Sequence, residues 1–156
     1  VYAVGFSNGG MMSYALGCHK SNLIAAIGSV SGYMLQSTSS VSESECTPTH
    51  SIPLIKLHGT TDYYDGGGVY NSVESVLNFW VNFNNNNTNP IINNIDDNGT
   101  SITSYKYENG DNNVSVEHYK IIDGEHVWFS NDFNGKNTGQ LIWDFFSQYD
   151  IDGLIE

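Results

Sequence analysis

VYAVGFSNGGMMSYALGC, residues 1–18, decides how the rest of the chain is read. Residues 1–6 are a short, β-rich apolar run of the kind buried on both faces of a parallel sheet. Met11, Met12, Tyr14, Ala15 and Leu16 suit a buried helix over 10–18. Between the two lies Gly5-x-Ser7-x-Gly9. A serine on a strand-to-helix turn needs small neighbours, because the backbone there is strained and packed close, and the turn lifts the hydroxyl clear of the sheet. The helix that follows aims its N-terminus at the serine and favours developing negative charge. Ser7 is therefore the candidate nucleophile, and the backbone N–H of Asn8 a candidate oxyanion donor.

A serine hydroxyl is a weak nucleophile at neutral pH and needs a base, which in turn needs an orienting carboxylate. After this kind of turn the partners follow in the order Ser, Asp, His, each just past the C-terminal end of a strand. Asp62 meets that requirement in His58-Gly59-Thr60-Thr61-Asp62, and His126 in Asp123-Gly124-Glu125-His126. The other histidines fit less well. His19 closes a helix, His50 lies in a Ser/Thr-rich loop, and His118 falls inside a strand with its side chain expected toward solvent. His58 ends a strand beside the site, where it is expected to buttress the acid loop.

Working outward, residues 23–30 read as a second buried strand and 53–58 as a third. Residues 33–51 read as a loop, and the apolar spacing of 69–81 as an amphipathic helix. The Asn-rich stretch 84–100 reads as a surface excursion. Residues 101–107 and 114–122 read as two strands, and Leu141, Ile142, Phe145, Phe146 and Tyr149 as the apolar face of a closing helix. This order is that of an α/β fold, a mostly parallel sheet with helices on both faces.

Composition excludes several function classes. Lys plus Arg total 5 against 17 Asp plus Glu, a formal charge of -12. So acidic a surface repels nucleic-acid backbones and anionic lipid, so neither nucleic acid nor membrane is expected as a partner. No His, Cys or carboxylate set has metal-ligand spacing. Asp132-Phe133-Asn134-Gly135 and Asp150-Ile151-Asp152-Gly153 miss the calcium-loop spacing and read as Asx turns. No metal and no cofactor is expected. Cys18 and Cys46 leave two readings open: small buried residues or, in a secreted protein, a disulfide tethering the loop before the third strand.

GFSNGGMMSYALGC, LIAAIGSVSGYM, PLIKLHGTTD, YDGGG and GEHVWF together resemble the polyhydroxybutyrate depolymerase and feruloyl esterase family of secreted α/β-hydrolases. The resemblance implies an α/β-hydrolase fold, Ser7, Asp62 and His126 as the triad, and Trp128 as a substrate-binding residue lining an acyl or sugar pocket. It also implies an ester substrate, either a plant or algal polysaccharide ester or a polyester, and a secreted or periplasmic location. Only Tyr63 separates Asp62 from Tyr64-Asp65-Gly66-Gly67, a shorter spacing than the family's, which keeps Asp65 as an alternative acid. Glu125 stands where the family tends to have glycine. Because the first residues read as mid-sheet, residues 1–150 are expected to be the C-terminal part of one catalytic domain, with 151–156 beginning a tail or linker. Two other readings remain: a prolyl-oligopeptidase-like serine peptidase, which shares the triad order, and a non-catalytic carbohydrate-binding relative.

Overall fold

The structure is a computed structural model, and it describes residues 1–36, 41–62 and 70–155. A six-stranded sheet runs β1-β2-β3-β6-β5-β4. Strands β1 (Tyr2–Phe6), β2 (Ala26–Val30), β3 (Leu54–Gly59) and β6 (Val116–Ile121) are parallel, and β4 (Ile91–Asp97) and β5 (Thr100–Tyr107) extend the sheet antiparallel. Helices α1 (Asn8–His19) and α2 (Val73–Phe83) cover one face, and α3 (Thr138–Phe146) covers the other.

Alternation along the central strands builds two cores. On β3, Ile55 and Leu57 point toward Ile142, Phe145 and Phe146 of α3, while Leu54 points toward Tyr14 of α1 and Val76 and Trp80 of α2. Helix α2 begins with a capping serine: Ser72 Oγ accepts from the Ser75 amide at 3.1 Å. In the same way Asn137 accepts from the Gln140 amide at 2.9 Å and starts α3. Cys18 at the end of α1 and Cys46 in the loop before β3 are joined in a disulfide.

Four expectations change. First, β1 is not buried on both faces: Val4 is 43% and Phe6 38% exposed, because among the described residues β1 pairs only with β2. Residues of β2 and β3 take the doubly covered positions instead.

Second, the Asn-rich stretch is not all surface excursion. It contains β4, joined to β5 through Asn98 (φ 50°) and Gly99 (φ 94°), a two-residue turn with both residues at positive φ, as a hairpin requires. Asn84 is buried. Its amide group bonds both the N–H and the C=O of Ile52, at 2.9 and 2.8 Å. The Asn86 side chain donates to the carbonyls of Tyr107 and Val114.

Third, α3 stops at Phe146, so Tyr149, expected on its apolar face, instead begins the hairpin β7 (Tyr149–Asp150) and β8 (Gly153–Leu154). Fourth, His118 is buried. Its Nδ1 lies 3.3 Å from the Lys56 carbonyl oxygen and its ring stacks on Tyr105, and burial above all pushes its pKa down to about 3. Among the described residues no helix is long and apolar enough to cross a membrane.

Lys56 occupies an inward position of β3. Its ammonium donates to the Gly32 carbonyl at 2.6 Å beneath the rings of Tyr14 and Tyr33. Burial pushes its pKa down to about 7, against partial opposition from the charges of Asp62 and Glu74.

Two predictions follow from the fold. The disulfide constrains the unfolded chain over 28 residues of separation. Replacing both cysteines with alanine should lower stability by about 3 kcal/mol, read from urea unfolding without reductant. For Lys56, the unfolded chain holds more protons than the folded one between about pH 7 and the ordinary lysine value of 10.5. Stability should therefore rise with pH across that window. Lys56→Met should flatten the rise, measured as urea midpoints at several pH values; an unchanged slope would remove Lys56 as its source.

Candidate active site

The sheet register determines where the site forms. Phe6 pairs with Val30, and the Ser7 amide continues that ladder by donating to the Val30 carbonyl at 2.9 Å. One residue later the chain is helical: the Met11 amide donates to the Ser7 carbonyl at 3.0 Å. Ser7 absorbs the whole change of direction, at φ 54° and ψ -118°, a conformation that strains any residue with a side chain. The turn is possible only because strand and helix nearly touch. A Cβ on Gly5 would collide with the Gly9 backbone. The Ser7 hydroxyl caps no helix amide, so its oxygen is directed elsewhere. Asn8 begins α1, and its N–H belongs to the first helical turn, where intrahelical acceptors are lacking.

The acid and base loops leave the sheet side by side. Strands β3 and β6 pair in parallel up to Gly59 opposite Ile121, and the chains beyond remain bonded. The Thr60 amide donates to the Ile121 carbonyl and the Thr61 amide to the Gly124 carbonyl, each at 2.9 Å. Thr60 Oγ1 accepts from the Asp123 amide at 2.8 Å, and Thr61 Oγ1 donates to the Gly124 carbonyl at 2.8 Å. Gly59 and Gly124 approach so closely that a Cβ on Gly59 would overlap the Gly124 backbone. Farther along, Ser31 Oγ donates to the Val127 carbonyl at 3.2 Å and ties the base loop to the end of β2.

These constraints bring three sequence-predicted residues together. His126 Nε2 lies 2.8 Å from Ser7 Oγ. His126 Nδ1 lies 3.1 and 3.0 Å from Asp62 Oδ1 and Oδ2. With the carboxylate accepting from Nδ1, Nε2 is left as the acceptor for the serine proton, a tautomer assigned from the bonding network. The Asp62 side chain is fully buried and that of His126 is 31% exposed. The Phe6 ring packs against the imidazole at 5.1 Å between centroids.

The remaining candidates fall as follows. Asp65 lies outside the described residues. Trp128 is 45% exposed, just past the base. Glu125 is exposed beside it. Asp132 Oδ1 and Asp150 Oδ1 accept the amides of Gly135 and Asp152, the Asx turns expected from sequence. Among the described residues no group of three or more His, Cys, Asp or Glu is placed to hold a metal. Two features escaped the sequence: burial of Lys56 within the core, and Tyr33, whose hydroxyl donates to the Asp62 backbone carbonyl at 2.9 Å. No periodicity marks either.

A family model described as phospholipase/carboxylesterase matches residues 1–94. The chain belongs to the phospholipase/carboxylesterase family. Its mostly parallel sheet, wrapped on both faces, is the α/β-hydrolase fold. The matched span carries the Ser7 turn and Asp62 of this carboxylesterase-family chain and ends before the His126 loop. A search of curated proteins returned no match.

If Asp62 orients the base, Asp62→Asn should lower kcat on an aryl ester by about 10⁴-fold through the wrong imidazole tautomer. Steady-state kinetics of the full-length protein check this; a variant with near-normal turnover would shift the role to another carboxylate, Asp65 first.

Proposed function

We propose that this chain carries the catalytic triad of a serine esterase working through an acyl-enzyme. The observation that supports it is the unbroken line from the Asp62 carboxylate through His126 to Ser7 Oγ, at 3.0 and 2.8 Å. Ser7 Oγ attacks the ester carbonyl carbon while His126 Nε2 takes its proton. Asp62 holds the imidazole in the required tautomer and stabilises its cation. The Asn8 amide donates to the carbonyl oxygen as it becomes an oxyanion. His126 then gives its proton to the departing alkoxide, and the alcohol leaves. In the second half His126 takes a proton from water as its oxygen attacks the acyl carbon, then returns that proton to Ser7 Oγ as the ester bond to Ser7 breaks, freeing the acid and the serine. Every bond change uses serine, histidine, carboxylate and water, so the cycle calls for no cofactor.

Within ester cleavage, the substrate class we favour is feruloyl or acetyl esters of plant or algal polysaccharide, or polyhydroxyalkanoate-type polyesters. Support comes from the GGMM continuation of the Ser7 turn and from Trp128, an exposed aromatic surface next to the base. Such bulky substrates require that the protein meet them outside the cytoplasm, and the Cys18–Cys46 disulfide favours the same secreted or periplasmic setting.

The test uses the full-length protein with p-nitrophenyl acetate, methyl ferulate, an aliphatic polyester film and a proline-containing peptide. Ester turnover that falls by about 10⁴-fold or more in Ser7→Ala is expected. Cleavage of the peptide but not the esters would replace the esterase reading with a peptidase. Failure of a serine-directed phosphonate to label Ser7 would indicate a non-catalytic binding protein.

A further inference from the structure

Deepening the triad reading and resting on it, we infer that His58 is a positioning residue for Asp62, donating its Nε2 hydrogen to Oδ2 while Tyr33 holds both residues in place. His58 ends β3, four residues before the acid, and its side chain is 3% exposed. Its Nε2 lies 3.3 Å from Asp62 Oδ2, the oxygen that His126 Nδ1 approaches at 3.0 Å. The carboxylate is fully buried, so protein donors replace water around it. The χ2 torsion of an aspartate is broad, so each donor against the carboxylate narrows its range. A donor from His58 at Oδ2, beside the one from His126, restricts it further.

Tyr33 explains why His58 stays there. Its hydroxyl donates to the Asp62 backbone carbonyl at 2.9 Å, and its ring stands against the His58 ring at 4.7 Å and 80°. One tyrosine thus braces both the main chain of the acid and the side chain that approaches it. Neither nitrogen of the buried His58 ring makes a formed hydrogen bond among the described residues, and Nε2 is the one with an acceptor in reach, the Asp62 carboxylate, so the Nε2–H tautomer is the one that can satisfy the ring. Burial first, and then the positive charges of Lys56, His118 and His126, hold the His58 pKa far below its ordinary value. His58 is therefore neutral. It can orient the carboxylate without competing as a cation for the charge that His126 needs. At 3.3 Å the contact is not yet a formed hydrogen bond, as is often so of catalytic contacts before substrate binds, and it closes into one when His126 becomes a cation and draws the carboxylate into place.

Glutamine and asparagine separate the two ring nitrogens. The glutamine amide nitrogen falls near the position of Nε2, and that of asparagine near Nδ1. In the full-length protein, His58→Asn and His58→Leu should lower kcat on p-nitrophenyl acetate about 10- to 100-fold with KM within about 2-fold, the signature of misplaced catalytic groups. His58→Gln should recover kcat to within about 3-fold of the parent, since its donor reaches the same oxygen. Thermal unfolding of each variant accompanies the kinetics. If His58→Leu fails to fold, the Gln and Asn pair still decides. Equal losses in Gln and Asn, a loss confined to KM, or full activity in Asn would each overturn the inference. Ser7→Ala and Asp62→Asn are measured alongside. If they stay active, the triad reading itself fails; if they are dead while His58→Asn is normal, only the role of His58 fails.

Discussion

Two glycines pressed together hold this structure's site in register. Gly59 ends the strand that leads to Asp62, and Gly124 lies two residues before His126. Their backbones approach closer than any side chain allows, and from that contact the hydrogen bonds of Thr60 and Thr61 link the two loops. Asp62 and His126 are 64 residues apart in sequence yet lie on what is locally one double-stranded ribbon. The parallel pairing of β3 with β6 sets that ribbon's starting point, and the pairing of β1 with β2 brings Ser7 to the same end of the sheet. Geometry good to a few tenths of an ångström thus comes from main-chain registers rather than from long, flexible side chains.

Around that frame the protein manages charge by burial. The acid is shut away from water, as are His58, His118 and Lys56. Burial lowers the pKa of Lys56 to about 7 and of His118 to about 3, and holds that of His58 far below its ordinary value, so all three basic groups are pushed toward neutrality. The strongly acidic surface acts in the other direction, the exposed Glu74 favouring the charged form of Lys56, and it repels other anions.

The α/β class of the fold was legible in the sequence, and so were three residues that the structure brings within hydrogen-bond distance. Ser7, Asp62 and His126 were readable because chemistry demands particular residue types at strand ends, and glycines on either side of Ser7 announce the turn. The helices were readable where apolar spacing is regular, as from Val76 to Val81. What misled was polarity used as a proxy for exposure. Asn84 and Asn86 look like surface residues but satisfy main-chain groups that no strand reaches. His118 and Lys56 sit at inward positions of strands whose neighbours are apolar, and only the pairing of the whole sheet reveals that both faces there are covered. Strand β4 did carry a signal, the Asn98-Gly99 pair, but its flanking asparagines masked the alternation that would have confirmed it. The family match, over residues 1–94, agrees with the part of the chain in which motif and pattern coincide.

The left-handed conformation of Ser7 has a consequence for how such a sequence can drift. A non-glycine residue at φ 54° carries a strain of roughly 1–3 kcal/mol that the surrounding strand and helix must sustain. Glycine would relax that strain and abolish the hydroxyl in the same step. At this one position, selection for a sturdier fold and selection for chemistry point in opposite directions. A lineage released from its substrate should therefore lose this serine early, and a glycine there, in an otherwise intact chain, would be the mark of a hydrolase turned scaffold.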